Sequence, residues 1–199
     1  MNPFETRKEQ ILKSIAELFY QKGYEKTSIR DISTSLGITV SGVYYYFKNK
    51  QEILFTIIDG VMQKAIANFQ EKIEVIINPE DKLFQIIYTH IKFYEEYKAE
   101  TRVLIKEGGF LEGEYAKIFK DQNIVYLNHL KKVLEEIKGG SESEMDVGVA
   151  AFCLVGILNW MTHWYNPKGK ISPEILAENI SRILLKGLRA IPSNSYRGR

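Results

Sequence analysis

Apolar residues at helical spacing run along almost the whole sequence, and this pattern limits the fold more than any other feature. Ile11, Ile15, Leu18 and Phe19 form the first such stripe, and similar stripes follow as far as the final helix at about residues 173–187. No stretch shows the sustained alternation of a β-strand, and no internal repeat is visible. The sequence therefore predicts an all-α fold.

Capping signals divide these stripes into separate helices. Asn49 and Glu52 form a capping box, and proline follows the cap residues Asn78 and Ser172. Glycines are placed to end helices at Gly23, Gly37, Gly108-Gly109 and Gly139-Gly140. The segment SESE at residues 141–144 is expected to cap a helix from about 143 to 165.

Composition sets limits on location and partners. The 199 residues are 45% hydrophobic and 26% charged, enough for a folded core. Cys153 is the single cysteine, which excludes an internal disulfide; we interpret it as an inert buried thiol in a reducing cytosol. The charged start of the chain does not resemble a signal peptide, so we expect a cytoplasmic protein. Residues 1–50 carry a small basic excess, a weak indication of a polyanionic partner.

The stretch GITVSGVYYYFKNK, residues 37–50, joins a tight turn to an aromatic helix. Two short helices connected at Gly37 are typical of a helix-turn-helix, in which the second helix enters the DNA major groove. Val43 and Phe47 are four residues apart and are predicted to face inward. The outer and leading surface then comprises Thr39, Val40, Ser41, Gly42, Tyr44 and Tyr45.

Each outer residue suits one part of a DNA duplex. Val40 offers an apolar contact to a thymine methyl group, and Ser41 donates or accepts a hydrogen bond at a base edge. The tyrosine hydroxyls, Lys48 and Lys50 are expected to reach phosphates, which fix the register without reading sequence. The partner predicted from this stretch is a double-stranded DNA operator.

The same region resembles the N-terminal domain of TetR-family transcriptional regulators over residues 5–62. The resemblance depends on Gly23-Tyr24, the run IRDIS, Leu36-Gly37, Tyr44-Tyr45-x-Phe47 and Lys48-x-Lys50. It implies a homodimer with a three-helix DNA-binding domain at residues 4–64, its motif at about 28–47, and a larger helical effector-binding and dimerisation domain at 65–199. It also implies DNA contacts from Ser28, Arg30, the segment Thr39 to Tyr45, and Lys50. Val40, Ser41 and Tyr46 depart from residues common in the family, so no operator sequence is implied.

Residues 147–167 contain no charged side chain. Their length nearly spans a bilayer, but Asn159, Thr162 and His163 lie within them, and a buried helix is the favoured interpretation over a membrane span. Such a helix can pack on its own subunit and on a partner at once. With the final helix it would form a four-helix dimer interface, which places two recognition helices about one DNA turn, ~34 Å, apart.

The segment from Trp164 to Glu174, WYNPKGKISPE, is similar to a TetR-family subset that senses acyl-CoA thioesters and controls fatty-acid, sterol or aromatic-acid degradation. This resemblance implies a small apolar effector. Long helices rich in aromatic residues are compatible with an apolar tunnel, although aromatic residues at this spacing are more often core. The candidate effector residues are Phe84, Tyr88, Phe93, Phe119, Tyr126, Phe152, Trp160, His163 and Trp164.

Other chemistry finds little support in the sequence. His163 and Asn159 have helical ligand spacing, but two side chains are too few for a metal site. No phosphate-binding loop, dinucleotide fingerprint or nucleophile elbow is present, so we expect neither an enzyme nor a cofactor.

The function predicted from the sequence is a ligand-responsive repressor. In this mechanism the effector favours a dimer whose recognition helices are spaced wrongly for the operator, with the fourth helix as the lever. A drug-sensing repressor of an efflux pump and an all-helical lipid-binding protein remain the alternatives.

Overall fold

The computed structural model of the chain describes residues 3–139 and 145–189, and these residues form helices without any strand. The all-α prediction is confirmed. The helices are α1 Pro3–Lys22, α2 Ile29–Leu36, α3 Val40–Tyr46, α4 Lys50–Lys72, α5 Pro79–Glu96, α6 Lys98–Glu107, α7 Gly113–Lys138, α8 Val147–Trp164 and α9 Pro173–Arg189, with a 3-10 turn at Gly108–Phe110.

The chain divides into two compact units. The first contains the residues up to Lys64 together with Glu96–Asn123, and the second contains Ala65–Glu95 together with the residues from Ile124 onward. The sequence treats residues 65–199 as one continuous domain, whereas the structure groups α6 with the N-terminal helices. The reason is that α6 packs along α1: Ala99 and Val103 are buried, and the Arg102 guanidinium lies 5.2 Å from the centre of the Tyr20 ring.

Most predicted helix boundaries lie within a residue or two of the observed ones. The Asn49 side chain accepts a hydrogen bond from the backbone N–H of Glu52 at 2.8 Å, and Ser172 Oγ accepts one from Ile175 at 3.3 Å. The break at Tyr97, which separates α5 from α6, was not predicted from the sequence.

Helix α8 begins differently from the prediction. Asp146 is its cap and accepts a hydrogen bond from the N–H of Val149 at 2.8 Å, while the predicted cap SESE lies outside the described residues. One face of α8 is buried through Ala151, Leu154 and Leu158. Cys153 projects away from that face and is exposed, so the prediction of a buried thiol is wrong.

The second unit has a continuous apolar core, to which α5, α7, α8 and α9 each contribute one stripe. Helix α5 is the central contributor, with Leu83, Ile87 and Ile91 fully buried. The members from the other helices include Leu130, Leu134, Ala151, Leu154, Leu158, Met161, Ala177, Ile180 and Leu188.

Candidate nucleic-acid interface and effector residues

Helices α2 and α3 form a tight helix-turn-helix within the first unit. Gly37 has a φ of 63°, in the left-handed region that favours glycine, and its N–H donates to the carbonyl of Thr34 at 3.2 Å. Val43 and Phe47 are 1% and 2% exposed, which confirms their predicted inward orientation. Burial of these two side chains holds α3 on the small core and leaves its opposite face outward.

The start of α2 is fixed by a network of short polar contacts. Ser28 and Asp31 form a reciprocal capping box, and Lys22 lies 2.8 Å from the Asp31 carboxylate. Hydrogen bonds from Lys22 first, and from Ser28 next, hold the pKa of Asp31 well below its usual range. The Ser28 hydroxyl therefore has a capping role in addition to its predicted DNA contact, while Arg30 is exposed.

The leading turn of α3 carries small residues in a defined arrangement. Thr39 Oγ1 accepts a hydrogen bond from the N–H of Gly42 at 3.0 Å and lies 2.9 Å from Ser41 Oγ. A Cβ added at Gly42 would lie 3.3 Å from that same Thr39 oxygen, so glycine leaves the capping contact undisturbed. Val40 and Ser41 are exposed beside it, as a helix that reads base edges requires.

Three aromatic rings connect the start of α1 to the end of α3. The Phe4 ring stacks on Tyr46 at 5.3 Å between centroids and meets Tyr45 edge-on at 5.9 Å. Tyr45 nevertheless remains 72% exposed, and Tyr44 is 51% exposed. The ring of Tyr45 is thus supported on one side while most of its surface faces solvent.

The two lysines after α3 have different surroundings. Lys48 is exposed, whereas Lys50 Nζ lies 4.2 Å from the centre of the Tyr24 ring and donates to the carbonyl of Glu25 at 3.3 Å. Partial burial lowers the pKa of Lys50, against opposing effects of nearby carboxylates. In the single chain the Lys50 ammonium is thus held against its own domain.

The candidate effector residues are distributed over both compact units. Phe84 and Tyr88 on α5 stack with ring centroids 6.0 Å apart and pack against the core of the second unit, and Phe93 on the same helix is half-buried. Phe119 belongs to the first unit, where its ring covers Gly108 so closely that an added Cβ would lie 2.8 Å away. Phe84 also borders an open groove of about 590 Å³.

The four candidates on α8 are exposed in the single chain. Phe152, Trp160 and Trp164 are 63%, 65% and 51% exposed, and His163 stacks on Trp160 with ring centroids 4.8 Å apart. Val149 lies on the same outward side. In the single chain these residues lie on the outward face of α8, opposite the face that supplies the core contacts.

Tyr126 belongs to a partly buried polar pair that the sequence did not reveal. Its hydroxyl lies 3.2 Å from His90 Nδ1, between α7 and α5. Burial raises the pKa of Tyr126 to about 12 and lowers the pKa of His90 to about 4, so both groups are neutral at pH 7. His90 lies in the apolar stripe of α5. A histidine in such a stripe was the sequence signal that could have indicated a polar pair here.

Helix α8 is by length and composition able to cross a membrane, with a third of its residues buried in the chain. Core helices of globular proteins share that composition, and a single such helix does not indicate a membrane protein.

Models of known protein families match both the N-terminal and the C-terminal part of the chain. The family model described as bacterial regulatory proteins, tetR family, matches residues 11–57. The model described as tetracyclin repressor-like, C-terminal domain, matches residues 77–188, which is more than half of the chain.

Individual relatives extend over nearly the full length. The chain is 25% identical over 199 residues to the HTH-type transcriptional repressor KstR2 of Rhodococcus jostii (strain RHA1), covering 94% of this chain and 93% of that protein. It is 25% identical over 186 residues to the fatty acid metabolism regulator protein of Bacillus subtilis (strain 168), covering 90% and 94%. Its fold matches the crystal structure of AibR in complex with isovaleryl coenzyme A and operator DNA with a TM-score of 0.81 at 25% identity, over 90% of this chain and 98% of AibR.

Proposed function

The chain belongs to the TetR family of transcriptional regulators, and from that premise we propose that it binds a palindromic operator as a homodimer and is released by an acyl-CoA thioester or a fatty acid. Members of this family are DNA-binding regulators and not enzymes. The observation that carries the proposal is the α3 face, which presents Val40, Ser41 and Tyr45 to solvent above a fully buried Val43 and Phe47.

The DNA contacts follow from the chemistry of that face. We assign base reading to the leading turn, Thr39 to Gly42, because its small side chains allow close approach to the groove floor. Phosphate contacts fall to Arg30, Tyr44, Tyr45 and Lys48, with Ser28 contributing from the start of α2. Lys50 positions the turn around Tyr24 instead of contacting DNA.

The homodimer is supported by the outward face of α8. Phe152, Trp160 and Trp164 are large apolar side chains exposed on one helix, and extended exposed apolar patches mark interaction sites. Exposed Ile175 and Ile183 extend the apolar character to α9. We therefore reassign these α8 residues from the effector to the partner subunit.

The effector proposal depends on the second unit. Phe84, Phe93 and Tyr126 provide apolar and aromatic surface around α5 and α7, and the His90–Tyr126 pair is a neutral polar group suited to an ester or thioester carbonyl. A carbonyl accepts a hydrogen bond from either partner without bringing a charge into the core. The printed descriptions of two relatives, one a fatty acid metabolism regulator and one bound to isovaleryl coenzyme A, support this class.

The experiment has two stages. Duplexes selected from a random library by the purified protein should converge on a palindrome with half-sites about one helical turn apart. Binding to that duplex is then titrated with acyl-CoA thioesters of increasing chain length, with coenzyme A alone, with free fatty acids and with lipophilic cations.

Each outcome separates the candidates. Release by one chain-length range of thioester or acid, but not by coenzyme A alone, supports the proposal. Release by lipophilic cations alone would show a drug sensor. Absence of any salt-sensitive duplex binding, together with lipid retained in native mass spectrometry, would show a lipid-binding protein that uses no operator.

A further inference from the structure

The segment from Trp164 to Glu174, WYNPKGKISPE, connects α8 to α9, and its contacts lie within the second unit. Tyr165 ends α8 and is 6% exposed. Its hydroxyl donates to Glu95 Oε1 at 3.1 Å, and burial followed by this hydrogen bond raises the pKa of Tyr165 to about 12. The first end of the connection is thereby attached to α5.

The second end of the connection is attached to the same helix. Glu174 lies in the first turn of α9, where favourable interactions with the backbone, the Ser172 hydroxyl and the Tyr88 hydroxyl stabilise its charged form. Its pKa is lowered, first by the backbone hydrogen bond. Tyr88 and Glu95 are seven residues apart, so they lie two turns apart on one face of α5.

Lys92 lies between these two contacts and balances their charge. It forms an ion pair with Glu95, and its positive charge also lowers the pKa of Glu174. Tyr88, Lys92 and Glu95, on one face of α5, thus interact with both ends of the connection. The chain between these ends forms a turn with hydrogen bonds of its own. In that turn, Asn166 accepts hydrogen bonds from the N–H groups of Lys168 and Gly169.

The connection also lies next to the exposed apolar surface at both of its ends. Trp164, at the end of that surface, packs edge-on against the Tyr165 ring at 6.4 Å. On the other side of the turn, Ile175 is exposed directly after Glu174. Two helices that pair with a second pair require a fixed angle and offset, because ridges of one must enter grooves of the other.

We propose that Tyr165 and Glu174, held by Glu95 and Tyr88, are positioning residues that set the geometry of the α8–α9 dimer surface. This assigns the WYNPKGKISPE segment to assembly and not to effector recognition. The inference rests on the homodimer of the proposed function.

The test is a double-mutant cycle on dimerisation. Tyr165→Phe, Glu95→Ala and the double variant are compared with the wild type by sedimentation equilibrium. Each single variant should raise the dimer dissociation constant about tenfold, the size expected for a hydrogen bond to a charged group. Adding Tyr165→Phe to Glu95→Ala should have almost no further effect, because Glu95→Ala has already removed the Tyr165 contact together with the Lys92 ion pair.

Tyr97→Phe is the matched control. It also removes a tyrosine–glutamate hydrogen bond, to Glu96, but in the first unit. A loss of general stability would lower the melting temperature of Tyr165→Phe and Tyr97→Phe alike and leave the dissociation constant of both unchanged. That result, with a dimeric wild type, would overturn the positioning role.

The second anchor is tested independently with Tyr88→Phe and Glu174→Ala. Weaker dimerisation in variants of both anchors, with Tyr97→Phe unaffected, supports the inference. Effects that merely add between Tyr165→Phe and Glu95→Ala would contradict it, since they would show that the two residues act separately. A monomeric wild type would instead remove the homodimer of the proposed function, and with it the premise of this inference.

Discussion

Helices α3 and α8 both expose aromatic side chains, but they differ in what surrounds the rings. On α3, Tyr44 and Tyr45 carry hydroxyl groups and stand beside exposed Ser41 and Lys48. On α8, the exposed aromatic residues belong to a segment with no charged side chain, and Phe152, Trp160 and Trp164 carry no hydroxyl group. Hydroxyl-bearing rings next to cations suit a phosphate backbone, whereas large rings in a charge-free segment suit another apolar surface. The same degree of exposure therefore indicates two different partners.

The most severe test of this comparison is a charge placed on α8. In Trp160→Asp, dimer formation would bury an unpaired carboxylate, so we expect the dissociation constant of the dimer to rise about 100-fold or more. Sedimentation or light scattering measures this change. Ile77→Asp is the control, because Ile77 is 95% exposed in the second unit but lies on neither α8 nor α9. Equal weakening by both variants would remove α8 from the dimer interface.

Salt should separate the two surfaces almost as strongly. If each subunit neutralises about two phosphates, operator affinity falls on the order of 100-fold between 50 and 200 mM salt. Dimerisation, with α8 as the charge-free part of the α8–α9 surface, should change less than about threefold over the same range. Fluorescence anisotropy with labelled duplex, and with labelled protein diluted alone, provides both curves. Parallel curves would show that charge contributes to both surfaces or to neither.

Because the Phe4 ring packs against Tyr45, we expect substitutions of these two residues to have coupled effects on operator binding. No such coupling is expected for the aromatic residues of α8. Tyr45→Ala should weaken operator binding about tenfold through loss of its phosphate contact. Phe4→Ala should weaken it by a smaller factor, because Phe4 acts through the position of the Tyr45 ring. In a Tyr45→Ala background, Phe4→Ala should then have almost no further effect. A full additional loss would give Phe4 a role of its own.

The lysines that follow α3 allow a finer distinction on one surface. Lys48→Ala should reduce the slope of log affinity against log salt by about one per subunit. Lys50→Ala should leave that slope unchanged and lower the melting temperature instead, because its ammonium lies on the Tyr24 ring. A slope that falls for Lys50→Ala as well would mean that the wild-type Lys50 side chain leaves the Tyr24 ring when DNA is bound. The phosphate contact predicted from the sequence would then be correct.

The sequence predicts local structure here better than it predicts the use of individual side chains. Caps such as Asn49 and Ser172 were readable because a cap involves residues three positions apart. The break at Tyr97 was not readable, since no glycine or proline marks it and α6 takes its place by packing on α1.

The same limit applies to the candidate sites. Periodicity shows that α8 is apolar on every side, but it does not show which side meets the core. Consequently four aromatic or histidine side chains on the exposed face entered the effector set. The contacts of Lys50, and of Tyr88 with Glu174, join residues 25 or more positions apart, and spacing within one helix carries no information about them.

The smallest expected effect concerns the support of the DNA-reading face and not the face itself. Lys22 and Ser28 hold the pKa of Asp31 below its value in an unfolded chain. The charged carboxylate therefore contributes stability at every pH above the unfolded pKa of about 3.9, and that contribution disappears as the pH falls through the lower pKa of the folded state. Because Asp31 is exposed enough for solvent screening, we expect a small decrease. Urea unfolding at pH 7 and at pH 3 should show a stability difference between the wild type and Asp31→Asn at pH 7 that shrinks at pH 3. A difference that is equal at both pH values would mean that the capping geometry, and not the charge of Asp31, supports α2. Helix α8 has no such support at its outer face, where no carboxylate is present, so dimerisation of either protein should not follow this change.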